Sequence, residues 1–288
     1  TLDLDADDSS TATGVNYRTS FTENGAAVSI ADADVNITDS DSTSLASATV
    51  RLTNAQNGDV LSVGSLPAGI SVTVDTSVAG QISVLLTGAA SLADYQAAIR
   101  AISFGNGSEA PSAVDRVVTV VVNDGQASSQ TATTTITVTP INDLPINSVP
   151  PAQATSEDVA RVFSSANGNA ITVSDLDATS LTTTLSVTNG ILTLGSTAGV
   201  SVTGDGTGTV TLSGSPAAIN AALNGTAFTP NIDYSGNAVL TVSSNDGVAT
   251  DTDTVNIAVT AVADTPTVYA HATDNGFSTG ASVFNANF

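Results

Sequence analysis

Asp115-Arg116-Val117-Val118-Thr119-Val120-Val121-Val122-Asn123-Asp124-Gly125 is the stretch from which the architecture of this chain can be worked out. β-Branched residues fill it, which favours an extended strand, and Asn-Asp-Gly at its end is a turn that sends the chain back. Thr133-Thr134-Thr135-Ile136-Thr137-Val138 then alternates polar and apolar side chains, as a strand with one buried face must. Thr139-Pro140-Ile141-Asn142-Asp143-Leu144-Pro145 follows, and its two prolines end that strand and stiffen the passage beyond it.

Outward from this segment, period-two alternation recurs at residues 48–52, 69–74, 81–85, 170–173, 181–187, 209–212 and 255–259, each expected to be a half-buried strand. Gly, Asn, Asp and Ser punctuate them at intervals of roughly 8–12 residues, the cadence of an antiparallel β-sandwich. Two fragments break the pattern. Residues 91–99 and 215–223 read as short helices, each opened by serine with Asp94 or Pro216 in the first turn. Each is expected to cross between two sheets, with Tyr95 and Ile219 plugging one end of a core; a ligand-stacking role for Tyr95 is the alternative.

The acidic residues keep the same schedule twice. Of 27 acids only three are glutamates, and two of these open matching passages, Phe21-Thr22-Glu23-Asn24-Gly25 and Ser156-Glu157-Asp158-Val159. An Asp-x-Asp pair follows each, Asp39 and Asp41 in the first and Asp175 and Asp177 in the second. Asn-Asp-Gly then appears at Asp124 and at Asp246, and an Asp stands shortly before a proline at Asp143 and at Asp264. Carboxylates recurring in a repeat of roughly 120 residues divide the chain into residues 1–141, residues 142–264 and a tail, 265–288, that lacks the glutamate opening. The expected fold class is all-β, with two tandem sandwiches joined end to end by a short Pro-containing linker.

Composition bounds the function. The 288 residues allow two domains, each with its own core. A formal charge of −22, with five arginines and no lysine, excludes nucleic acid as a partner and disfavours an anionic membrane surface. It also makes the compact state self-repelling unless counter-ions bind. The preference for Asp over Glu suits tight turns and equally suits calcium, whose ligands are short carboxylates and carbonyls. With no cysteine there is no disulfide, thiolate metal site or Cys nucleophile. No apolar run approaches the roughly 20 residues of a membrane helix. The chain begins at Thr1 without a signal peptide and is expected to be a processed product or fragment of an exported protein.

The order Asp-Arg, valine-rich strand, Asn-Asp-Gly, Thr/Ile/Val strand, Asn-Asp-x-Pro resembles the second half of a cadherin repeat, and the Glu-Asn opening with its Asp-x-Asp resembles the first half. In wording, Leu52-Thr53-Asn54-Ala55-Gln56 and Ala90-Ser91-Leu92-Ala93-Asp94-Tyr95-Gln96 are similar to the cadherin-like tandem repeats of large bacterial surface adhesins exported by type I secretion. Ala218-Ile219-Asn220-Ala221-Ala222-Leu223-Asn224-Gly225 is similar to a sister repeat class. The resemblance covers nearly all the chain except the tail. It implies Greek-key cadherin/immunoglobulin-like sandwiches and calcium held between them. Residue by residue it places Glu23, Asp115, Asn142, Asp143, Asp175, Asp177 and Asp246 around one interdomain cluster. Asp39, Asp41 and Asp124 would form an upstream half-site, with one of Asp3, Asp5, Asp7 or Asp8. Glu157 and Asp264 would form a downstream half-site, with Asp233 in place of the missing Asp-Arg. Two departures reduce the carboxylate count: Thr139 where the linker has an Asp, and Asp-Arg-Val where the family has Asp-Arg-Glu.

Catalysis has little support. His271 has no Ser or Asp partner at recognisable spacing, and no tryptophan is present to stack a sugar. The expected function is that of a calcium-rigidified structural and adhesive module of an extracellular bacterial surface protein, whose partners are neighbouring repeats or like subunits. A self-assembling filament or surface-layer subunit, polymerising through calcium and the aromatic tail (Tyr269, Phe277, Phe284 and Phe288), is the second reading. A carbohydrate-binding module with cell-surface glycan ligands is the third. Replacing Asp143 by alanine is expected to weaken metal binding, whereas replacing Asp59, in an Asn-Gly-Asp turn outside the repeated motifs, is expected to be near neutral for it.

Overall fold

The computed structural model describes residues 1–264. His271 and the four aromatics of the tail lie outside the described residues. The first half of the chain runs β1 (Leu2–Asp3), β2 (Tyr17–Thr22), β3 (Val28–Ser29), β4 (Asn36–Ile37), β5 (Ser44–Leu52), β6 (Asp59–Val63), β7 (Ser71–Asp75), β8 (Ile82–Ser91), α1 (Leu92–Arg100), β9 (Ile102–Asn106), β10 (Arg116–Asn123) and β11 (Ala132–Thr139). The second half continues with β12 (Ile146–Ser148), β13 (Gln153–Ser156), β14 (Arg161–Phe163), β15 (Thr172–Ser174), β16 (Leu181–Val187) and β17 (Gly190–Thr193). It ends with β18 (Ser201–Thr203), β19 (Thr209–Gly214), α2 (Pro216–Leu223), β20 (Thr226–Pro230), β21 (Gly236–Asn245) and β22 (Thr250–Thr260).

Each half has a six-stranded sheet, a three-stranded one and a two-stranded one (β1-β4 in the first half, β12-β15 in the second). The large sheets have the orders β2-β11-β10-β5-β8-β7 and β13-β22-β21-β16-β19-β18, and the three-stranded ones β3-β9-β6 and β14-β20-β17. The two orders are the same strand for strand. The chain crosses repeatedly between sheets, while β7–β8 and β10–β11, like β18–β19 and β21–β22, are consecutive strands paired within the large sheet, so each half is an all-β sandwich.

The valine-rich stretch is β10, central in its sheet, where Arg116, Val118, Val120 and Val122 are buried and the residues between them half-buried. Its partner β11 buries Ala132, Thr134, Ile136 and Val138 in the same rhythm. These side chains join one core with Phe21 and Phe104, whose rings meet edge to face at 5.5 Å. A separate core around Phe163 and Phe228 fills the second half. Burial of each such aliphatic side chain stabilises by about 1.5–3 kcal/mol.

The helices fall where serine caps them. Ser91 accepts from the Asp94 amide, and Asp94 reaches back in a capping box; Ser215 accepts from the Ala218 amide. Each helix links a large sheet to a small one, and Tyr95 and Ile219 are fully buried. The Tyr95 hydroxyl donates to the Gly88 carbonyl at 2.7 Å, so this ring is core and not a stacking platform. One strand differs from expectation. β7 is exposed at all five residues, at the edge of the six-stranded sheet.

Two pairings position the candidate site. β2 runs parallel to β11, with Phe21 opposite Val138 and Thr22 opposite Thr139, so Glu23 emerges beside the start of the linker. β13 repeats this against β22, bringing Glu157 beside the residues after Thr260. Residues 140–145 lie between β11 and β12.

Candidate metal centre

The acids of the repeated motifs sit on turns that use one carboxylate oxygen and leave the other. Asp175 Oδ1 accepts the amides of Asp177 at 3.1 Å and Ala178 at 2.8 Å. Asp39 Oδ1 does the same with Asp41 and Ser42. Asp246 Oδ1 accepts from Val248 and Ala249, and Asp124 Oδ1 from Gln126 and Ala127. Turn residue and ligand are therefore compatible readings of one side chain. These amides, led by that of Ala249 for Asp246 and of Ala127 for Asp124, hold both carboxyls below the usual aspartate range.

At the linker the remaining oxygens are buried. Glu23 is only 3 % exposed; its amide donates to the Thr139 carbonyl, and its Oε2 accepts from the Ile141 amide at 2.7 Å. Its Oε1 has no partner. Asp143 Oδ2, Asp175 Oδ2 and Asp177 Oδ1 are likewise buried and unpartnered. Among the described residues six buried side-chain polar atoms lack partners, and these four are the carboxylate oxygens among them. The Asp143 amide points at Asp177 Oδ2, 3.4 Å away. Asn142 Nδ2 donates to Asp246 Oδ2 at 2.8 Å and to the Asp143 carbonyl. Asp177 is held above the usual carboxylate range, first by burial and then by Asp175, with the charge of Asp143 adding to it.

An unpaired buried carboxylate oxygen costs several kcal/mol, on the order of what a lost charged hydrogen bond costs. Four such oxygens lie on the linker and on the segments to either side of it, and among the described residues no Lys or Arg pairs with them; they are hard donors of the kind calcium takes. Glu23 and Asp143 converge with Glu109 within 4.8 Å, while Asp143 meets Asp177 through its amide and Asn142 meets Asp246; these acids, with Asp175, could hold cations, which when bound would supply the positive charge that the junction lacks.

Asp115 stands apart from this set. It is exposed, and its carbonyl accepts from Asn54 Nδ2 at 2.9 Å. The neighbouring Arg116 turns inward and pairs with Asp59 at 2.7 Å, both side chains fully buried. Asp59 is thus more than the turn residue that its Asn-Gly-Asp setting implied. The sequence signal was the lone arginine opening a valine-rich strand, which needs a buried counter-charge.

The structure brings some of the remaining acids together and leaves others apart. Asp39, Asp41 and Asp124 converge at a cleft of about 280 Å3 that Thr1, Thr38 and Gln126 help to line. Asp41 is raised by its hydrogen bond to Asp39 and by the charge of that neighbour. Asp3 and Asp8 do not join this group, and Asp5 and Asp7 group instead with Asp32 and Asp34. Asp5 is already satisfied by the amides and hydroxyls of Ser9 and Ser10. At the far end Asp233 and Asp264 converge with Asp158, whereas Glu157 is buried and accepts from the Val262 amide. Sequence reasoning passed over Asp158, although it stands in the Glu157 passage, and Glu109, which no motif marks.

No family model matches the chain, and no curated protein matches it. Among solved structures it is similar to titin domains Z1Z2 in complex with telethonin, at 10 % identity over 76 % of this chain and 90 % of that one, TM-score 0.28. It is similar to the human desmocollin-1 ectodomain at 12 % identity, over 87 % and 40 %, TM-score 0.27. An endo-fucoidan hydrolase of glycoside hydrolase family 107 matches at 16 % identity, over 72 % and 24 %, TM-score 0.21. The chain spans about a quarter of the length of such hydrolase chains. At these TM-scores the likenesses carry no weight for activity. Among the described residues no helix is long and apolar enough to cross a membrane.

Proposed function

We propose that this chain is a calcium-rigidified structural module, a stiff segment of an extracellular bacterial adhesive protein. The carrying observation is the group of four buried, unpartnered carboxylate oxygens of Glu23, Asp143, Asp175 and Asp177 at the linker. They come from both sides of residues 140–145, so cations bound there would tie the first sandwich, the linker and the second into a single body. Without them the like charges repel and the linker swings. The strongly acidic surface favours solubility and attracts cations, as an exported rod requires.

The module transmits force or holds distance and has no chemistry to perform. Its ends support this: Asp39, Asp41 and Asp124 at one end, and Asp158, Asp233 and Asp264 at the other, resemble the two sides of the internal junction. Further sandwiches could dock at either end by the same means.

Small-angle scattering with millimolar calcium and with chelator tests the reading. Chelation should broaden the distance distribution and lower the melting temperature. Superimposable profiles and melting curves would remove the calcium function altogether.

A further inference from the structure

We propose that Glu109 is a metal ligand, forming with Glu23 and Asp143 a second cation subsite that residues 1–143 build without help from the second sandwich. The proposal rests on the calcium reading above and specifies how the junction fills. Glu109 lies in the loop between β9 and β10, outside every repeated motif, and is exposed. Its carboxylate nonetheless converges with those of Glu23 and Asp143, one oxygen from each lying within 4.8 Å of the other two. The Asn24 side-chain amide donates to Glu109 Oε2 at 3.4 Å. Among the described residues the one ion pair is Arg116 with Asp59, so no cation of the chain neutralises this trio. Glu23 decides the matter: one oxygen is engaged by the Ile141 amide, and the other is buried without a partner. Three converging carboxylates beside a buried oxygen without a partner make a set of donors that a hard cation would satisfy.

Glu109 owes its place to groups that the motifs do not reveal. Arg116 Nη1 donates to the carbonyls of Ser112 and Val114, pinning the far end of the loop. Asp59 Oδ1 accepts from Asn106 Nδ2, and Asn106 Oδ1 accepts the Ser108 amide at 2.7 Å, pinning the near end. The buried Asp59–Arg116 pair is therefore a positioning device for the ligand between these anchors.

The second sandwich carries acids at the corresponding places. Asp158 follows Glu157 as Asn24 follows Glu23, both left-handed with φ of 62° and 58°. Asp233 lies in the loop between β20 and β21, as Glu109 lies between β9 and β10. Asp264 stands two residues beyond the amide that meets Glu157, as Asp143 stands two beyond the one that meets Glu23. The residue types have changed between the halves, and the convergence of three carboxylates has not.

Asp175 and Asp177 belong to the other side of the linker. The Glu109 subsite can thus fill first, while the subsite containing Asp175 and Asp177 needs the second sandwich docked, with Asp143 shared between them. Calorimetric titration of the full chain with calcium chloride, with ions counted by native mass spectrometry, tests this. E109Q should lose one ion or weaken one binding step by roughly tenfold or more, because a charged ligand is removed. Its melting temperature in chelator should equal or slightly exceed that of wild type, since Glu109 is exposed and the substitution removes one of three like charges. D175N should weaken the other step and leave the Glu109 step in place. An unchanged ion count and unchanged affinities in E109Q overturn the proposal alone. A wild type that binds no calcium overturns it together with the calcium reading.

Discussion

Asp59 and Arg116 show how far a residue's role can stray from its local sequence. Asp59 looks like a turn acid, yet it accepts from Arg116 Nε, Asn106 Nδ2 and the Gln56 amide in a fully buried setting. Removing one member of a buried pair strands the other charge. D59A should therefore destabilise the first sandwich by about 3–5 kcal/mol in denaturant unfolding. Loss of less than about 1 kcal/mol would mean that Arg116 finds water or another acceptor. At this scale the repeated acids were legible, because their spacing is kept across two passages of otherwise different wording. Asp115 was legible as a motif and still lies away from the cluster. The strand that it opens turns Arg116 inward, and Asp115 is left exposed.

The turns that carry the acids make a pH signature in chelated protein. Asp246 is held below the usual range by the Ala249 amide, the Asn142 side chain and the Val248 amide. Its contribution to stability is present above the ordinary aspartate pKa and is lost as pH falls through its lowered folded value. Asp177 has the opposite sign. With its folded value raised by burial and by Asp175, its contribution is present below the ordinary pKa and is lost as pH rises through the folded value. In chelator at neutral pH, D177N should therefore raise the melting temperature by a few degrees and D246N should lower it. With calcium present both should lower it. A D177N variant less stable than wild type in chelator would show that Asp177 carries no excess charge there. Element types were the most readable part of the chain, since alternating Thr and Val/Ile admits little but a strand. The exposure of β7 was not, because alternation says that one face is apolar and not whether anything covers it.

For the whole molecule, the two cores share no residue and are separated by a linker whose contacts are polar. Calcium removal should accordingly loosen the junction before it unfolds either sandwich. Scanning calorimetry in chelator should give two transitions, with D59A lowering only the one that belongs to the first half. In saturating calcium the two should draw together. A single unchanged transition under both conditions would mean that the halves melt as one unit through contacts other than the cation.

Composition, period-two patterning and serine-led helices were enough to determine an all-β chain of two like sandwiches, and the repeated carboxylates were enough to mark its linker. Those properties are local or periodic, so the order of residues carries them. Tertiary structure alone decided which oxygens are buried without partners, that Glu109 and Asp158 stand among the converging acids, and that Asp59 answers Arg116 across the fold. Glu109 and Glu23 are 86 positions apart in the numbering and meet because β2 pairs with β11 and the β9–β10 loop is pinned at both ends. No spacing rule encodes that meeting. It follows from packing sheets of unequal width around one core, which sets where each loop must end.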